Sequence, residues 1–189
     1  QKSGAIFDFT KLDWMNGEYI RKKPLAELVA LCLPFIQNFL QISLPDARFP
    51  ISYIEKVVAL EQPRLKKLSE IGERVDYFFR RPEYQKELLI WKNMPVEQVV
   101  TSLERSEKII SNLPACAEAS AGRKFQISKE ETEHIFLEEI GEGDKGSLLW
   151  PLRVALSGKK ASPGPFEIMA VLRIEESLKR VRTAQEMIR

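Results

Sequence analysis

The sequence predicts an all-α protein. Apolar residues recur at helical spacing from Pro24 to Ile188, and prolines, glycines or serines stand where most of these stretches begin or end. No stretch of useful length alternates as a strand would, and nothing repeats at a fixed period. With 189 residues, 44% of them hydrophobic, the chain is long enough to bury a core.

Prolines set the bounds of the first helices. Pro24 opens a helix with apolar Leu25, Leu28, Val29, Leu31 and Phe35, and Pro34 is expected to kink or interrupt it. A second helix covers Ser52–Ala59 and is broken by Pro63, after which a third begins at Arg64. Arg64 therefore falls at a helix break, where its side chain can leave the packed surface.

The second half of the chain carries clearer end signals. Pro95 begins a long helix, Ser128 and Glu131 fit a capping box for the next, and Gly141–Gly146 reads as a loop. The assignment of Ala115–Gln126 is open. A final helix is expected over Val171–Ile188, with three basic residues directed largely outward: Lys179, Arg180 and Arg182.

The stretch Leu149–Ile168 is the most informative. An apolar helical stripe of Leu149, Leu152, Ala155 and Leu156 ends at Gly158, where a left-handed terminator is needed. A basic loop follows, and Ser162 before Pro163 predicts the N-cap and first residue of a new helix. A helix N-terminus beside Arg153, Lys159 and Lys160 suits an RNA strand.

Charge patterning agrees with a protein that presents particular faces to a polyanion, although solvated helix surfaces would explain it too. The net charge is only +2, but Lys56–Arg81 has seven basic and four acidic residues and Leu149–Arg189 has eight and four. Between them, Pro82–Leu148 has eight basic and thirteen acidic residues. The chain therefore predicts two basic regions on either side of an acidic one.

Several kinds of site are not expected. The two cysteines, Cys32 and Cys116, and the single histidine, His134, lack metal-ligand spacing, and no catalytic triad is recognisable. Cys32 lies in an apolar run and is expected to be a buried thiol. The Gly141–Gly146 segment spells G-x-G-x-x-G, but an acidic helix and not a strand precedes it.

The three tryptophans have a structural interpretation beside the functional one. Trp14, Trp91 and Trp150 could stack on bases, but each lies among apolar residues, so we expect core or interface packing. No apolar run reaches membrane-spanning length, and the first residues lack a signal-peptide core. The opening QKSGAIFDF suggests a cut within a longer protein.

Two long segments carry a resemblance. Trp14–Ile20 reads WMNGEYI, and Pro151–Gly158 reads PLRVALSG and is followed by SPGPFE at Ser162–Glu167. In this order and separation they resemble the C-terminal, tRNA-binding part of bacterial-type glutamyl-tRNA synthetases, enzymes of class I, over nearly the whole chain. Arg173-Ile174 stand where many members have Gly-Lys and are expected to extend the last helix.

The resemblance implies a division of the chain and a set of site residues. Residues 1–22 would be a remnant of the tRNA stem-contact domain, followed by anticodon-binding helical subdomains at 23–88 and 89–189. In similar enzymes an arginine matching Arg64 meets the wobble base of the anticodon. The other anticodon bases would meet residues of the later segments, namely Arg153, Ser162, Pro163, Pro165 and Phe166. Flipped-out anticodon bases suit arginine forks, hydroxyls and backbone groups.

The resemblance also implies what the chain does not do alone. The H-I-G-H and K-[ML]-S-K signatures of the family are not in this sequence, so we expect no aminoacylation from it. ATP and Mg²⁺ would act in the catalytic part of such an enzyme, and no cofactor is expected here. The expected partner is glutamate tRNA, bound by a monomeric, cytoplasmic ligase with no membrane association. The alternative is a helical adaptor that binds another protein, and a salt titration separates the two.

Overall fold

The computed structural model describes residues 8–113 and 128–189, and all regular structure in these ranges is helical. The all-α prediction is confirmed. The longer helices in the described ranges are α1 (Phe9–Lys22), α2 (Leu25–Leu40), α3 (Ile51–Glu61), α4 (Ile71–Val75), α5 (Val96–Ser111), α6 (Lys129–Ile140), α7 (Lys145–Ser157), α8 (Pro165–Leu172) and α9 (Ile174–Ile188). Short 3-10 turns lie at Gln62–Arg64, Leu68–Glu70, Asp76–Phe78 and Lys86–Leu89. Cys116 and the Ala115–Gln126 stretch lie outside the described residues.

The chain divides into two compact units, Gln1–Phe79 and Arg80–Arg189. The sequence-based boundary stands later, after residue 88. The difference arises at the 3-10 turn Lys86–Leu89, which packs within the second unit. There the indole Nε1 of Trp150 donates to the carbonyl oxygen of Leu88 at 2.9 Å, and Leu89 is fully buried.

The core of the first unit is formed where α2 packs on α3 and α4. Its fully buried side chains include Leu28, Ile36, Ile54, Val58 and Ile71. Cys32 belongs to this core, and burial raises the pKa of its thiol to about 11. The expectation of a buried thiol is confirmed, and such a thiol is a poor nucleophile at neutral pH.

One sequence-based expectation for the first unit is narrowed and another is wrong. Of the kink or interruption expected at Pro34, the interruption is excluded, because helix α2 continues through this residue. Pro34 lies exposed, so water can bond the carbonyl that the ring leaves without a donor. No helix starts at Arg64, because the chain is extended at Leu65, whose side chain is fully buried. Burial of the Leu65 side chain therefore decides the backbone conformation here, against the helical pattern of the neighbouring residues.

Trp14 is not a core residue. Its side chain is 60% exposed on α1, where the buried residues are Gly17 and Ile20. The expectation of core packing at Trp14 is therefore wrong. Only a narrow face of α1 is buried, and Trp14 does not lie on it. Among the described residues, none of the helices combines the length and the apolar composition that a membrane span requires.

The core of the second unit lies where α5 packs on α7 and α9. Leu103, Ile110, Leu152 and Val181 are fully buried there. Helices α6 and α8 pack together beside it, with the rings of Phe136 and Phe166 at a centroid distance of 5.3 Å. The second unit thus brings the PLRVALSG and SPGPFE segments into one core.

The last helix does not run unbroken from Val171. Arg173 separates α8 from α9. Its backbone has φ 72° and ψ 159°, a conformation that residues other than glycine rarely adopt. The expectation that Arg173 extends the helix is wrong. The break lets α8 and α9 each bury a separate apolar face, including Ile168 and Leu172 on α8 and Val181 and Ala184 on α9.

We predict that Arg173→Gly stabilises the second unit by about 1 kcal/mol, because relief of backbone strain exceeds the added freedom of the unfolded chain. The exposed Arg173 side chain makes no hydrogen bond or ion pair within the described part of the chain, and the backbone bonds of this residue to Met169 and Ser177 would remain. Thermal unfolding should show a midpoint raised by about 2–4 °C. The matched control is Gln41→Gly, at an ordinary left-handed position (φ 56°, ψ 40°), where no such gain is expected. An equal rise in both variants would contradict the explanation.

Candidate nucleic-acid interface

The turn between α7 and α8, residues 158–164, is the centre of the candidate interface. Gly158 ends α7 in the left-handed conformation (φ 68°, ψ 13°), and its N–H donates to Val154 at 2.7 Å. A Cβ at this position would lie 2.7 Å from the Cβ of Pro82 and 3.0 Å from a ring carbon of Tyr84. The predicted glycine terminator is confirmed, and the segment around Pro82 packs against it.

The start of α8 differs from the prediction. Gly164 is the N-cap and Pro165 the first helical residue, whereas Ser162 donates its hydroxyl to the carbonyl of Pro163 at 3.0 Å. The carboxylate of Glu167 accepts the Gly164 N–H at 2.8 Å. Gly164 is the N-cap instead of Ser162 because a glutamate follows Gly164 at the third helical position, whereas no such residue follows Ser162 at that spacing.

Glu167 also ties α8 to α6. Its second carboxylate oxygen lies 3.1 Å from the Nζ of Lys129, and this contact raises the pKa of the lysine. Lys129 is the first residue of α6, whose N-cap Ser128 accepts the N–H of Glu131 as predicted. One carboxylate therefore fixes both the start of α8 and its attachment to a neighbouring helix.

Arg153 reaches from α7 across the turn. Its Nη2 donates to the carbonyl of Lys160 at 2.9 Å, and its guanidinium carbon lies 4.6 Å from the centroid of the Trp150 ring. Partial burial lowers the pKa of this guanidinium. In the described part of the chain, no carboxylate forms an ion pair with Arg153.

Trp150 is itself held in place. Its ring lies 4.9 Å from that of Trp91, centroid to centroid, with 39° between the planes. Its Nε1 donates to Leu88, as described above. The expectation of packing at Trp91 and Trp150 agrees with these contacts, but both side chains remain partly accessible.

A buried arginine supports the turn from beneath. Arg180, only 5% exposed, donates from Nη1 to the carbonyl of Leu156 at 2.6 Å and from Nε to Glu176 at 2.9 Å. The expectation that Arg180 faces outward is therefore wrong. Leu156 lies in the last turn of α7, where carbonyls have no partner within the helix, and Arg180 supplies one.

The structure brings five of the six predicted site residues together in the second unit. Arg153 and Ser162 are partly accessible, whereas Pro163, Pro165 and Phe166 are buried. The ring of Phe166 packs on Phe136, so these three residues shape the turn and Arg153 and Ser162 present side chains from it. Their contact with an RNA base stays a prediction.

Arg64, the sixth, belongs to the first unit and is exposed on the 3-10 turn Gln62–Arg64. Its Nη1 donates to Leu60 at 3.2 Å. Gln62 anchors the turn, because its side-chain amide donates to the carbonyls of Ile20 and Lys23 at 3.0 and 2.9 Å. The helix break predicted at Arg64 is thus a defined turn held against the end of α1.

Residues 8–113 and 128–189 contain no group of three or more His, Cys, Asp or Glu side chains that could hold a metal ion. His134 is exposed on α6 and lies 3.4 Å from Glu138. The Gly141–Gly146 segment follows helix α6 directly, as the sequence predicts, so it lacks the strand that a dinucleotide fingerprint requires.

Comparison with known proteins identifies similar sequences along nearly the whole chain. A family model for an anticodon-binding domain matches residues 27–185. The glutamate–tRNA ligase of Clostridium kluyveri is 39% identical over 183 residues, covering 95% of this chain and 34% of that protein. The same ligase of Clostridium tetani is 37% identical over 193 residues, covering 100% and 36%. The chain spans about a third of the length of these curated relatives.

Solved structures share the fold. A glutamate tRNA ligase from Elizabethkingia meningosepticum superposes with a TM-score of 0.70 at 20% identity, covering 100% of this chain and 34% of that chain. A glutamate-tRNA synthetase from Elizabethkingia anophelis gives 0.65 at 22% identity, covering 98% and 33%. At this level of identity the likeness concerns the fold.

Proposed function

The chain belongs to the anticodon-binding domain family, and from that premise we propose that it recognises the anticodon of glutamate tRNA within a glutamate–tRNA ligase. The observation that carries the proposal is the turn at residues 158–164. There Arg153 has no carboxylate partner in the described part of the chain, and it bonds to the backbone of a turn that carries Lys159 and Lys160 and leads into α8. Single-stranded bases are read by such groups.

The remaining parts of the proposal follow from the relatives. We place the use of ATP and Mg²⁺ and the ligation of glutamate in the other two thirds of such a ligase. We also propose a monomeric, cytoplasmic enzyme. The family match supports RNA binding, and no observation on the described residues favours the helical adaptor.

The experiment is a binding comparison of glutamate tRNA with a copy that differs only in its anticodon. We expect the chain to bind the natural tRNA more tightly, by about 5-fold or more, because base contacts each contribute about 1–3 kcal/mol. Both affinities should fall steeply as salt is raised, since phosphate contacts release counterions. Equal affinity for the two RNAs at every salt concentration would refute anticodon recognition, and absence of salt dependence would favour the adaptor.

Arg64 provides a second prediction. We propose that it contacts a base, so Arg64→Gln should reduce the preference for glutamate tRNA over glutamine tRNA more than it reduces general affinity. The variant should fold normally, because the side chain is exposed and Gln62, not Arg64, anchors the turn. Affinities for both tRNAs at fixed salt decide the point. A uniform loss for the two would mean that Arg64 contacts the phosphate backbone.

A further inference from the structure

Trp150, whose ring lies against the guanidinium of Arg153, is held in place by its neighbours like a core residue, although its side chain is partly accessible. Trp150 precedes Arg153 by one helical turn on α7, so the two side chains lie on neighbouring positions of the same face. The guanidinium carbon is 4.6 Å from the centre of the indole ring, within range of a cation–π contact.

The support continues behind Trp150. The ring of Trp91 lies 4.9 Å away, and a Cβ added at Gly146 would meet the indole Nε1 of Trp91 at 2.5 Å. Trp91 is therefore enclosed between Trp150 and the backbone of the first turn of α7. With the bond from Trp150 to Leu88, these contacts leave the tryptophan pair, Trp91 and Trp150, little room to move.

We propose that Trp150 is a positioning residue: together with Trp91 it holds the Arg153 guanidinium in the orientation that an anticodon base requires. This inference rests on the proposed function, with an RNA base as the ligand. A flexible arginine loses conformational freedom when it binds, and a guanidinium already held between an indole and the Lys160 carbonyl loses less. Trp150 thus acts through Arg153 and not by stacking on a base itself.

The experiment is a double-mutant cycle on the full chain with glutamate tRNA and its anticodon-swapped copy. Arg153→Ala should weaken binding of the natural tRNA by about 5- to 150-fold, as loss of a base contact does. Trp150→Leu should weaken it by about 3- to 10-fold, the effect of losing a cation–π contact. In the Arg153→Ala background, Trp150→Leu should change the affinity by less than about twofold, because the residue has no other role in binding.

A conservative variant separates positioning from folding. Trp150→Phe keeps an aromatic face under Arg153, so it should restore most of the affinity even though the bond to Leu88 is lost. Thermal unfolding of each variant is measured in parallel. If Trp150→Leu is unfolded at the assay temperature, the cycle is built with Trp150→Met, whose longer side chain fills more of the site but offers no aromatic face, and the same coupling with Arg153 is expected.

Three further results would overturn different statements. Equal losses from Trp150→Leu with and without Arg153 would show that Trp150 contacts the RNA independently, and the positioning role would be rejected while anticodon recognition stands. No discrimination between the two tRNAs by the unmodified chain would refute the proposed function itself. If the unmodified chain discriminates between the two tRNAs but Arg153→Ala binds with normal affinity, Arg153 is not part of the binding site, and the role proposed for Trp150 is rejected with it.

Discussion

Replacement of Gly158 by alanine is expected to destabilise the second unit by about 2–5 kcal/mol. The left-handed backbone at this position costs a residue with a Cβ about 1–2 kcal/mol. The new methyl group would also overlap Pro82 at 2.7 Å, and a proline ring cannot turn aside as a flexible side chain does. Overpacking of this kind costs about 1–3 kcal/mol more. Urea unfolding followed by far-ultraviolet circular dichroism measures the loss.

Two variants in the same turn test the explanation. Gly164→Ala is the matched control, because Gly164 has a negative φ and its Cβ would meet only the Glu167 carboxylate, at 3.5 Å. It should change stability by less than about 1 kcal/mol. Gly158→Asn tolerates the left-handed backbone but keeps the overlap, so it should fall between alanine and the unmodified chain. Equal stability of Gly158→Ala and Gly164→Ala would contradict the steric account.

Removal of the Arg180 side chain is expected to have a comparable effect. Arg180→Leu deletes the donor that satisfies the Leu156 carbonyl at the end of α7 and the positive charge that this helix end favours. It also leaves Glu176 without its 2.9 Å partner. A buried acceptor left unpaired costs about 1–3 kcal/mol, so with the lost charge we expect about 2–4 kcal/mol in urea unfolding.

The control for Arg180 lies two residues further on the same helix. Arg182 is 57% exposed and pairs with Glu107 at 2.7 Å, so Arg182→Leu should cost less than about 1 kcal/mol. Arg180→Lys keeps the charge but loses the fork that reaches Leu156 and Glu176 together, and it should recover only part of the stability. If Arg182→Leu is as damaging as Arg180→Leu, burial is not the reason for the effect.

Local sequence signals predict most of the helices because their ends depend on neighbours within four residues. Gly158 and Ser128 act as the sequence indicates, since a left-handed terminator and a serine N-cap are local devices. The sequence also contains the information needed to predict the start of α8 correctly. Glu167 stands three residues after Gly164 and not after Ser162, and that spacing decides between two adjacent candidates.

The misses depend on contacts distant in sequence. Arg180 is buried because a carbonyl of α7, 24 residues earlier, accepts its hydrogen bond, and no pattern within α9 reveals that partner. The helix break at Arg173 is not marked by a glycine or a proline in the sequence. It follows from the packing of α8 and α9 on separate faces. The pairing of Trp150 with Trp91 likewise joins residues 59 positions apart, so the sequence, which sets Trp150 one turn before Arg153, could not show that Trp91 supports it.

The three tryptophans also give each unit its own optical signal. Trp14 alone represents the first unit and is largely open to solvent, so a dissolved quencher should reach its fluorescence readily. Trp91 and Trp150 lie close enough for their excited states to couple, which should produce a paired band of opposite signs in the circular dichroism of the folded second unit. Loss of that band, together with loss of selective quenching as Trp91 and Trp150 become accessible, would therefore report the melting of the second unit, in one sample and without any attached label.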